Sequence, residues 1–324
     1  MSIVTILANT SVIIVFIFSK KFRTTSNYFI LSLTFADLCI GLITIPMRAI
    51  EILRPSFTGS VEYCRTAHSF TLLNFTASVS NLMIIAVDRY IAILHPYVYY
   101  QINKRPIRYI ASMIISAWSI VIMTTFLPLY GWGSNGRTGP RTGSLGICRF
   151  SETMDQDFIL FILISILSTS FLLIIPMYAH IFIVARKHIK KVHPIRTLTQ
   201  QGGGTGEMGV SSYISSEQQG RDGGGGNGRA HQKRFQMSFK STKTMFLVVL
   251  IFMISWLAFV ISTLMFIICK TCANDAVVLI ATIVIYFGSC LNPFVYFIRL
   301  NVFHQEMRKL LKKMKCRCVC NNMS

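Results

Sequence analysis

The sequence predicts an all-α membrane protein: a seven-transmembrane helix bundle with a short cytoplasmic amphipathic helix after the last span. Three observations carry that expectation. Of the 324 residues 52% are hydrophobic and only 14% charged, against the roughly 25% charged residues of an ordinary soluble domain. The mean hydropathy is +0.55. The apolar residues also fall into seven long runs broken by short polar segments.

The runs cover residues 1–19, 27–47, 66–87, 109–130, 158–185, 244–269 and 276–298. Each is near or above the roughly 20 residues that a helix needs to cross a bilayer. The first is the shortest; it starts at the initiator Met, so a very short amino terminus or an incomplete gene model is expected there. Residues 66–87 hold no Lys, Arg, Asp or Glu, then meet Asp88-Arg89-Tyr90 and, six residues on, Pro96. Within the second run the only charge is Asp37.

An odd number of spans puts the termini on opposite sides of the membrane. Of the 32 Lys and Arg residues, 25 fall on one side: 20–23, 89–108, 186–243 and 299–317. The positive-inside tendency makes that side cytoplasmic and the amino terminus extracellular. The net charge of +20 therefore faces membrane lipids and cytoplasmic partners and is no nucleic-acid signature.

Residues 1–298 form the predicted seven-span domain, and 299–324 its cytoplasmic tail. The Gly-rich stretch 192–232 between spans five and six cannot bury a core and is expected to be disordered. In the tail, Val302, Phe303, Met307, Leu310 and Leu311 share one helical face, with Lys and Arg on the rest. That pattern predicts an interfacial amphipathic helix.

The marks Asn9, Leu33-Thr-Phe-Ala-Asp37, Asp88-Arg89-Tyr90, Trp118, Ser255-Trp256 and Asn292-Pro293-Phe-Val-Tyr296 occur in order, one in each span except the fifth. Together with the seven spans this set resembles the rhodopsin-like (class A) G-protein-coupled receptors. Within that family Asn27-Tyr-Phe-Ile-Leu-Ser-Leu, Ile45-Pro46, Gly131-Trp132, Cys148-Arg-Phe150 and Cys269-Lys-Thr-Cys272 look most similar to adenosine receptors and the related melanocortin and cannabinoid receptors.

The resemblance implies a receptor that transduces an extracellular small-molecule signal, adenosine-like in class, to heterotrimeric G proteins at the cell membrane. The alternatives are an orphan receptor for a peptide, lipid or amine, and a non-signalling homologue. Asp88, Arg89, Tyr90, Tyr178 and Tyr296 are the implied G-protein coupling residues. Trp256, Phe252, Asn292 and Pro293 are the implied switch, the proline removing a backbone hydrogen bond and making a hinge. Two departures stand out: Ala258 and Ser170 replace prolines expected in spans six and five. Ser238 stands where many relatives carry an acid that clamps Arg89. Arg89 is then expected to be tethered by Asp88 alone, giving high basal activity.

The implied ligand pocket lies in the outer half of the bundle, lined by Thr71, Leu72, Phe75, Phe150, Glu152, Phe259, Val260, Thr263 and Tyr286. Thr71 stands where amine receptors carry an aspartate, which argues against an amine. Tyr286 replaces the lysine that holds retinal, which excludes a photopigment. Purine-reading polar residues are not reproduced at Thr263 and Tyr286.

An acid inside a spanning helix needs partners. Asp37, Ser78 and Asn292, with Asn9 as a further candidate, form the implied site for a sodium ion, the one cofactor-like species expected; a protonated Asp37 is the alternative. Cys64 and Cys148 are the implied disulfide over the pocket, and Cys269 and Cys272 a second, both on the oxidising side. Cys39 and Cys290 read as packing residues. Cys316, Cys318 and Cys320 fit palmitoylation, with a zinc site as the alternative. No nucleophile–base–acid set is legible, so an enzyme is not expected. A transporter would need several intramembrane charges or an internal repeat, and only Asp37 meets that description.

Overall fold

The computed structural model describes residues 1–54, 61–132, 154–187, 225–268 and 275–321, with the side chains of 61, 166–167, 170–171, 225–238, 240–241, 266–267, 275–276, 278–279, 301 and 314–321 outside that description. Every regular element among the described residues is helical. A spanning chain has to satisfy its backbone polar groups internally, and helices do so within each segment.

Span one is Ser2–Phe18. Span two runs Thr25–Leu53, span three Val61–Leu94 and span four Pro106–Thr125. Span five starts at Gln156 and continues to 187, span six is Gly225–Ile268, and span seven is Asp275–Arg299. A connecting helix, Pro96–Ile102, follows span three, and a terminal helix, Asn301–Asn321, follows span seven. Spans two, three, four, six and seven are long and apolar enough to cross a membrane, while span one and Gln156–Ser165 are shorter apolar helices.

Span three is the hub, packing on spans two, four, five and six, while spans six and seven share the largest interface. Span four is peripheral. Its Ile107, Ile115, Ile120 and Met123 are exposed, as suits side chains that meet lipid tails in place of protein. The core divides into an inner cluster around Tyr178, Tyr296 and Val248 and an outer one around Phe75, Trp256 and Phe259.

Two spans are interrupted by π-helical turns. In span two the turn Ile40–Thr44 leads directly into Ile45-Pro46, and in span five Thr169–Ile174 precedes Pro176. A proline offers no N–H and clashes with the preceding turn. A widened turn before it absorbs both effects without ending the helix. In span five that turn contains Ser170, the residue that replaces the expected proline, six positions before Pro176.

Several boundaries differ from the expected runs: span two extends to Leu53, span three covers Val61–Leu94 and span four ends at Thr125. Span six begins at Gly225, inside the stretch 192–232 expected to be disordered. The long apolar segment nucleates the helix, and the Arg, Gln and Lys residues of 229–234 propagate it backwards in spite of the glycines. The terminal helix extends to Asn321, beyond the amphipathic face that ends at Leu311. Its apolar face is also divided: Phe303 is buried against Phe22 with ring centroids 5.6 Å apart, whereas Val302 and Leu311 are exposed. The rest of the stretch expected to be disordered, 192–224, lies outside the described residues, as do Cys148, Phe150, Glu152, Cys269 and Cys272 and the side chains of Ser170, Ser238, Cys316, Cys318 and Cys320.

Candidate functional site

At the inner end of span three, Asp88 and Arg89 are both buried. Arg89 donates to Asp88 Oδ2 through Nε at 3.1 Å and through Nη2 at 2.5 Å. The pair is not alone. Ser26 Oγ donates to Asp88 Oδ2 at 2.8 Å and accepts from Arg89 Nη2, which also donates to Tyr99 Oη at 3.2 Å. Span two, span three and the connecting helix are therefore tied at one point. Thr25 reinforces the tie, its hydroxyl donating to Asn103 Oδ1 at 2.8 Å.

The expectation that Arg89 is tethered by Asp88 alone is thus corrected. Helix geometry cannot bring Ser26 or Tyr99 to mind from sequence, because the first lies on another span and the second beyond Pro96. Burial, then the Asp88 carboxylate, hold the pKa of Tyr99 above its ordinary value, so its hydroxyl stays neutral and can accept from the guanidinium. Tyr90 points elsewhere and shares a hydrogen bond of 3.1 Å with His180 Nδ1 on span five.

Tyr178 and Tyr296 are fully buried close by. Neither hydroxyl has a hydrogen-bond partner among the described residues, so neither touches Arg89 in this arrangement. Tyr178 packs instead on Phe246 of span six, with ring centroids 5.3 Å apart.

Asp37 sits at mid-depth, 1% exposed. Of its three candidate partners Asn292 hydrogen-bonds to it, donating Nδ2 to Asp37 Oδ2 at 2.7 Å. Ser78 turns its hydroxyl back onto the Asn74 carbonyl at 2.9 Å. Asn9 donates to the carbonyls of Thr5 and Ser289 at 3.0 and 3.4 Å. Hydroxyls in helices commonly bond to the carbonyl one turn back, which is why Ser78 is lost to Asp37. Ser289, which the sequence reading missed, lies within hydrogen-bonding reach of Asp37 instead. It sits three residues before Asn292, on the same face of span seven.

A cavity beside this acid is lined by Ser78, Ser255, Gly288, Ser289 and Asn292, with Phe75, Phe252 and Trp256 as its roof. It has room for about one water-sized species. Asp37 Oδ1 is buried and unpartnered among the described residues, and an all-oxygen donor set suits a small hard cation. These residues fit a sodium ion, which would supply a countercharge to Asp37.

Above the cavity three rings interlock. Phe75 meets Trp256 edge-on at 4.6 Å and Phe259 at 5.6 Å, and Trp256 meets Phe259 at 5.5 Å. Phe252 extends the stack below, 5.9 Å from Trp256. Such edge-to-face pairs fix ring orientation as well as burying area. Leu72 and Val260 join this cluster, and Thr71, Thr263 and Tyr286 are buried at its outer rim. Thr71 Oγ1 donates to the Ala67 carbonyl at 2.9 Å. Of the expected lining, Phe150 and Glu152 lie outside the described residues.

Other marks hold neighbouring spans together. Trp118 Nε1 donates to Ser32 Oγ of span two at 3.0 Å. Gly131 takes the left-handed backbone conformation, φ 100°, that ends the turn after span four, and Trp132 then packs on Phe158 and Phe161 of span five. Cys290 is buried and 2.8 Å from Thr5 Oγ1, while Cys39 is a free, half-buried thiol. Cys64 is disulfide-bonded, with its partner outside the described residues.

The chain matches the family "7 transmembrane receptor (rhodopsin family)" over residues 8–296. It is 26% identical over 319 residues to 5-hydroxytryptamine receptor 6 of Mus musculus, covering 97% of this chain and 69% of the relative. It is 25% identical to the alpha-1A adrenergic receptor of Oryzias latipes, over 94% of this chain and 64% of the relative. It is 29% identical to the histamine H2 receptor of Homo sapiens, over 60% of this chain and 53% of the relative. The chain spans about two thirds of the length of such curated relatives, or less. These names correct the expected kinship with adenosine, melanocortin and cannabinoid receptors. The short segments that suggested it, such as Ile45-Pro46 and Gly131-Trp132, serve helix bending and turn geometry and carry no ligand identity. With the family match covering nearly the whole bundle, the chain belongs to the rhodopsin family of seven-transmembrane receptors, which are signalling receptors and not enzymes.

Proposed function

We propose that this receptor carries an extracellular small-molecule signal across the cell membrane to heterotrimeric G proteins, with its amino terminus outside. The observation that carries the reading is the buried Arg89 network. A charge this deep is stable only while its partners hold it, and Ser26, Asp88 and Tyr99 belong to three different elements. Moving those elements apart frees a guanidinium at the cytoplasmic face, a two-state element that a ligand can bias. Tyr178 and Tyr296, buried with unpartnered hydroxyls, would find partners in the second state, which lowers its cost.

The ligand enters from the outer half, over Thr71, Leu72, Phe75, Phe259, Val260, Thr263 and Tyr286, capped by the segment holding Phe150 and Glu152. Trp256 couples that pocket to the Asp37 cavity. A sodium ion at Asp37, Ser289 and Asn292 would favour the closed arrangement. Cys64 pairs with Cys148, Cys269 with Cys272, and Cys316, Cys318 and Cys320 take palmitoyl groups that anchor the terminal helix to lipid.

Amine ligands are suggested by the relatives' names, but Thr71 supplies no countercharge and its hydroxyl is engaged within its own helix. An adenosine-like ligand no longer has kinship behind it. The test is guanine-nucleotide exchange on a set of G proteins in membranes bearing the full chain, with nucleosides, amines, peptides, lipids and organic acids. A response lost in Arg89→Ala supports the reading. Exchange indistinguishable from membranes lacking the receptor, for every ligand and in their absence, overturns it in favour of a non-signalling homologue.

A further inference from the structure

The connecting helix Pro96–Ile102 has two unlike sides. Tyr99 and Asn103, four residues apart and so on one side, face the bundle. Tyr99 Oη accepts from Arg89 at 3.2 Å, and Asn103 Oδ1 accepts from Thr25 at 2.8 Å. These two ties set the rotation of the element. The other side carries Tyr97 and Tyr100, 74% and 62% exposed. Large rings gathered at a protein surface mark a contact with something beyond it.

Basic residues continue that side. Lys104, Arg105 and Arg108 are all exposed. The Lys104 ammonium stands over the Tyr100 ring, 5.2 Å from its centroid, a cation–π arrangement that orients ring and charge together. Residues 90–151 contain no Asp or Glu. Among the described residues the ion pairs join Arg48 to Glu51, Arg89 to Asp88 and Lys309 to Glu306, so these three cations have no acid of their own.

Span four fixes the level at which they stand. Arg108, Ile115 and Ile122 are spaced seven apart and so share one stripe of the helix. Both isoleucines are exposed, on the side that meets lipid tails. Arg108 is the cytoplasmic end of that stripe, where hydrocarbon gives way to headgroups. Tyrosines suit that level, with an apolar ring and a polar tip, and clustered cations beside a span attract anionic lipid.

Taking the cytoplasmic orientation proposed above, we propose that Tyr97, Tyr100, Lys104, Arg105 and Arg108 form a docking surface for anionic phospholipid of the inner leaflet. The rings enter the boundary between headgroups and acyl chains, and the cations meet headgroup phosphates and carboxylates. Unmatched positive charge and continuity with the lipid-facing stripe favour the bilayer over a protein partner. Tyr99 lies on the back of the same short helix, so lipid bound in front holds that helix against Arg89.

The test titrates the purified full chain, in micelles of uncharged detergent, with dioctanoyl phosphatidylserine or dioctanoyl phosphatidylcholine. The reading is the unfolding temperature, which a ligand of the folded state raises. Micelles have no inner side and no G protein is present, so a failure of the orientation or of signalling leaves the result intact. The serine lipid is expected to raise the unfolding temperature, less so at high salt, and the choline lipid to leave it nearly unchanged. K104Q/R105Q/R108Q should raise the half-maximal concentration of the serine lipid roughly 10- to 100-fold. Tyr100→Ala, which removes the ring beneath Lys104, should raise it about 2- to 5-fold. R308Q/K312Q/K313Q takes the same charge from the terminal helix and should weaken the lipid far less. Equal weakening by the two triple variants would mean that the lipid follows net charge alone, and equal responses to the two lipids would mean that charge plays no part; either overturns the proposal. So does a K104Q/R105Q/R108Q receptor that keeps its response to the serine lipid but loses nucleotide exchange, since the surface would then belong to a protein partner.

Discussion

Arg89 and Tyr99 lie on opposite sides of the break at Pro96, yet the Arg89 guanidinium donates to the Tyr99 hydroxyl at 3.2 Å. The connecting helix is thereby fastened to the charged pair that it follows. Hydrogen bonds to charged groups contribute about 1.5–3 kcal/mol, and on the proposed reading this one helps to keep the inner end closed. Tyr99→Phe should therefore raise ligand-independent nucleotide exchange by about 10-fold or more, given the proposed coupling. Ser26→Ala removes a bond to Asp88 and one to Arg89 and should act in the same direction. Unchanged basal exchange in both variants at equal receptor density would show that this tie does not hold the resting state.

The Asp37–Asn292 bond makes a second, independent claim, because it joins spans two and seven at mid-depth. Asn292→Ala leaves a buried carboxylate without its donor and should cost about 1–3 kcal/mol. Asn292→Asp is worse, since it sets two acids against each other in a low-dielectric site. Combining it with Asp37→Asn restores one acid and one amide, and the exchanged pair should recover most of the lost unfolding temperature. An exchange that recovers nothing would mean that the position of the acid matters through some other partner, Ser289 first among them.

These two sites show what the sequence could and could not disclose. Seven apolar runs and Asp88-Arg89-Tyr90 are local patterns, and the fold follows from them because a bilayer leaves the backbone few alternatives. The Asp37–Asn292 contact was legible as a need: an intramembrane acid must be met. Which residue meets it was only half legible, because a serine such as Ser78 can instead satisfy itself on its own helix. Ser26 and Tyr99 carry no local signal at all; packing of three elements brings them to Arg89. The Arg48–Glu51 pair reads in sequence as charges near the end of a span, and its unequal burial is visible only in the structure. Short segments around bends and turns misled the choice of subfamily, because they record backbone geometry shared across the family.

Phe75 should be the least replaceable ring of the outer cluster. It is 1% exposed and touches both Trp256 and Phe259, so its removal orphans two partners. Phe75→Ala should lower stability by about 3–5 kcal/mol through cavity formation, seen as reduced surface density and a lower unfolding temperature. Phe75→Leu keeps volume but loses the edge-on contact, and should cost less while still altering Trp256 fluorescence. Equal losses for both variants would assign the effect to ring geometry in place of volume.

Gly288 and Ser255 offer the sharpest test of how spans six and seven meet. A Cβ placed on Gly288 would stand 3.0 Å from Ser255 Oγ and 3.4 Å from its Cβ, and both residues line the cavity beside Asp37. Ser255 cannot simply rotate away without losing its 2.8 Å bond to the Ile251 carbonyl. Gly288→Ala should therefore push the helices apart at a cost of about 1–3 kcal/mol, the usual range for overpacking. Ser255→Ala alone removes an oxygen that bonds only within its own helix and should be nearly neutral. The double variant relieves the clash, so its stability should lie close to that of Ser255→Ala, a coupling that a double-mutant cycle on unfolding temperature measures directly. Additive effects would sink the idea, because they would mean that the two positions do not touch.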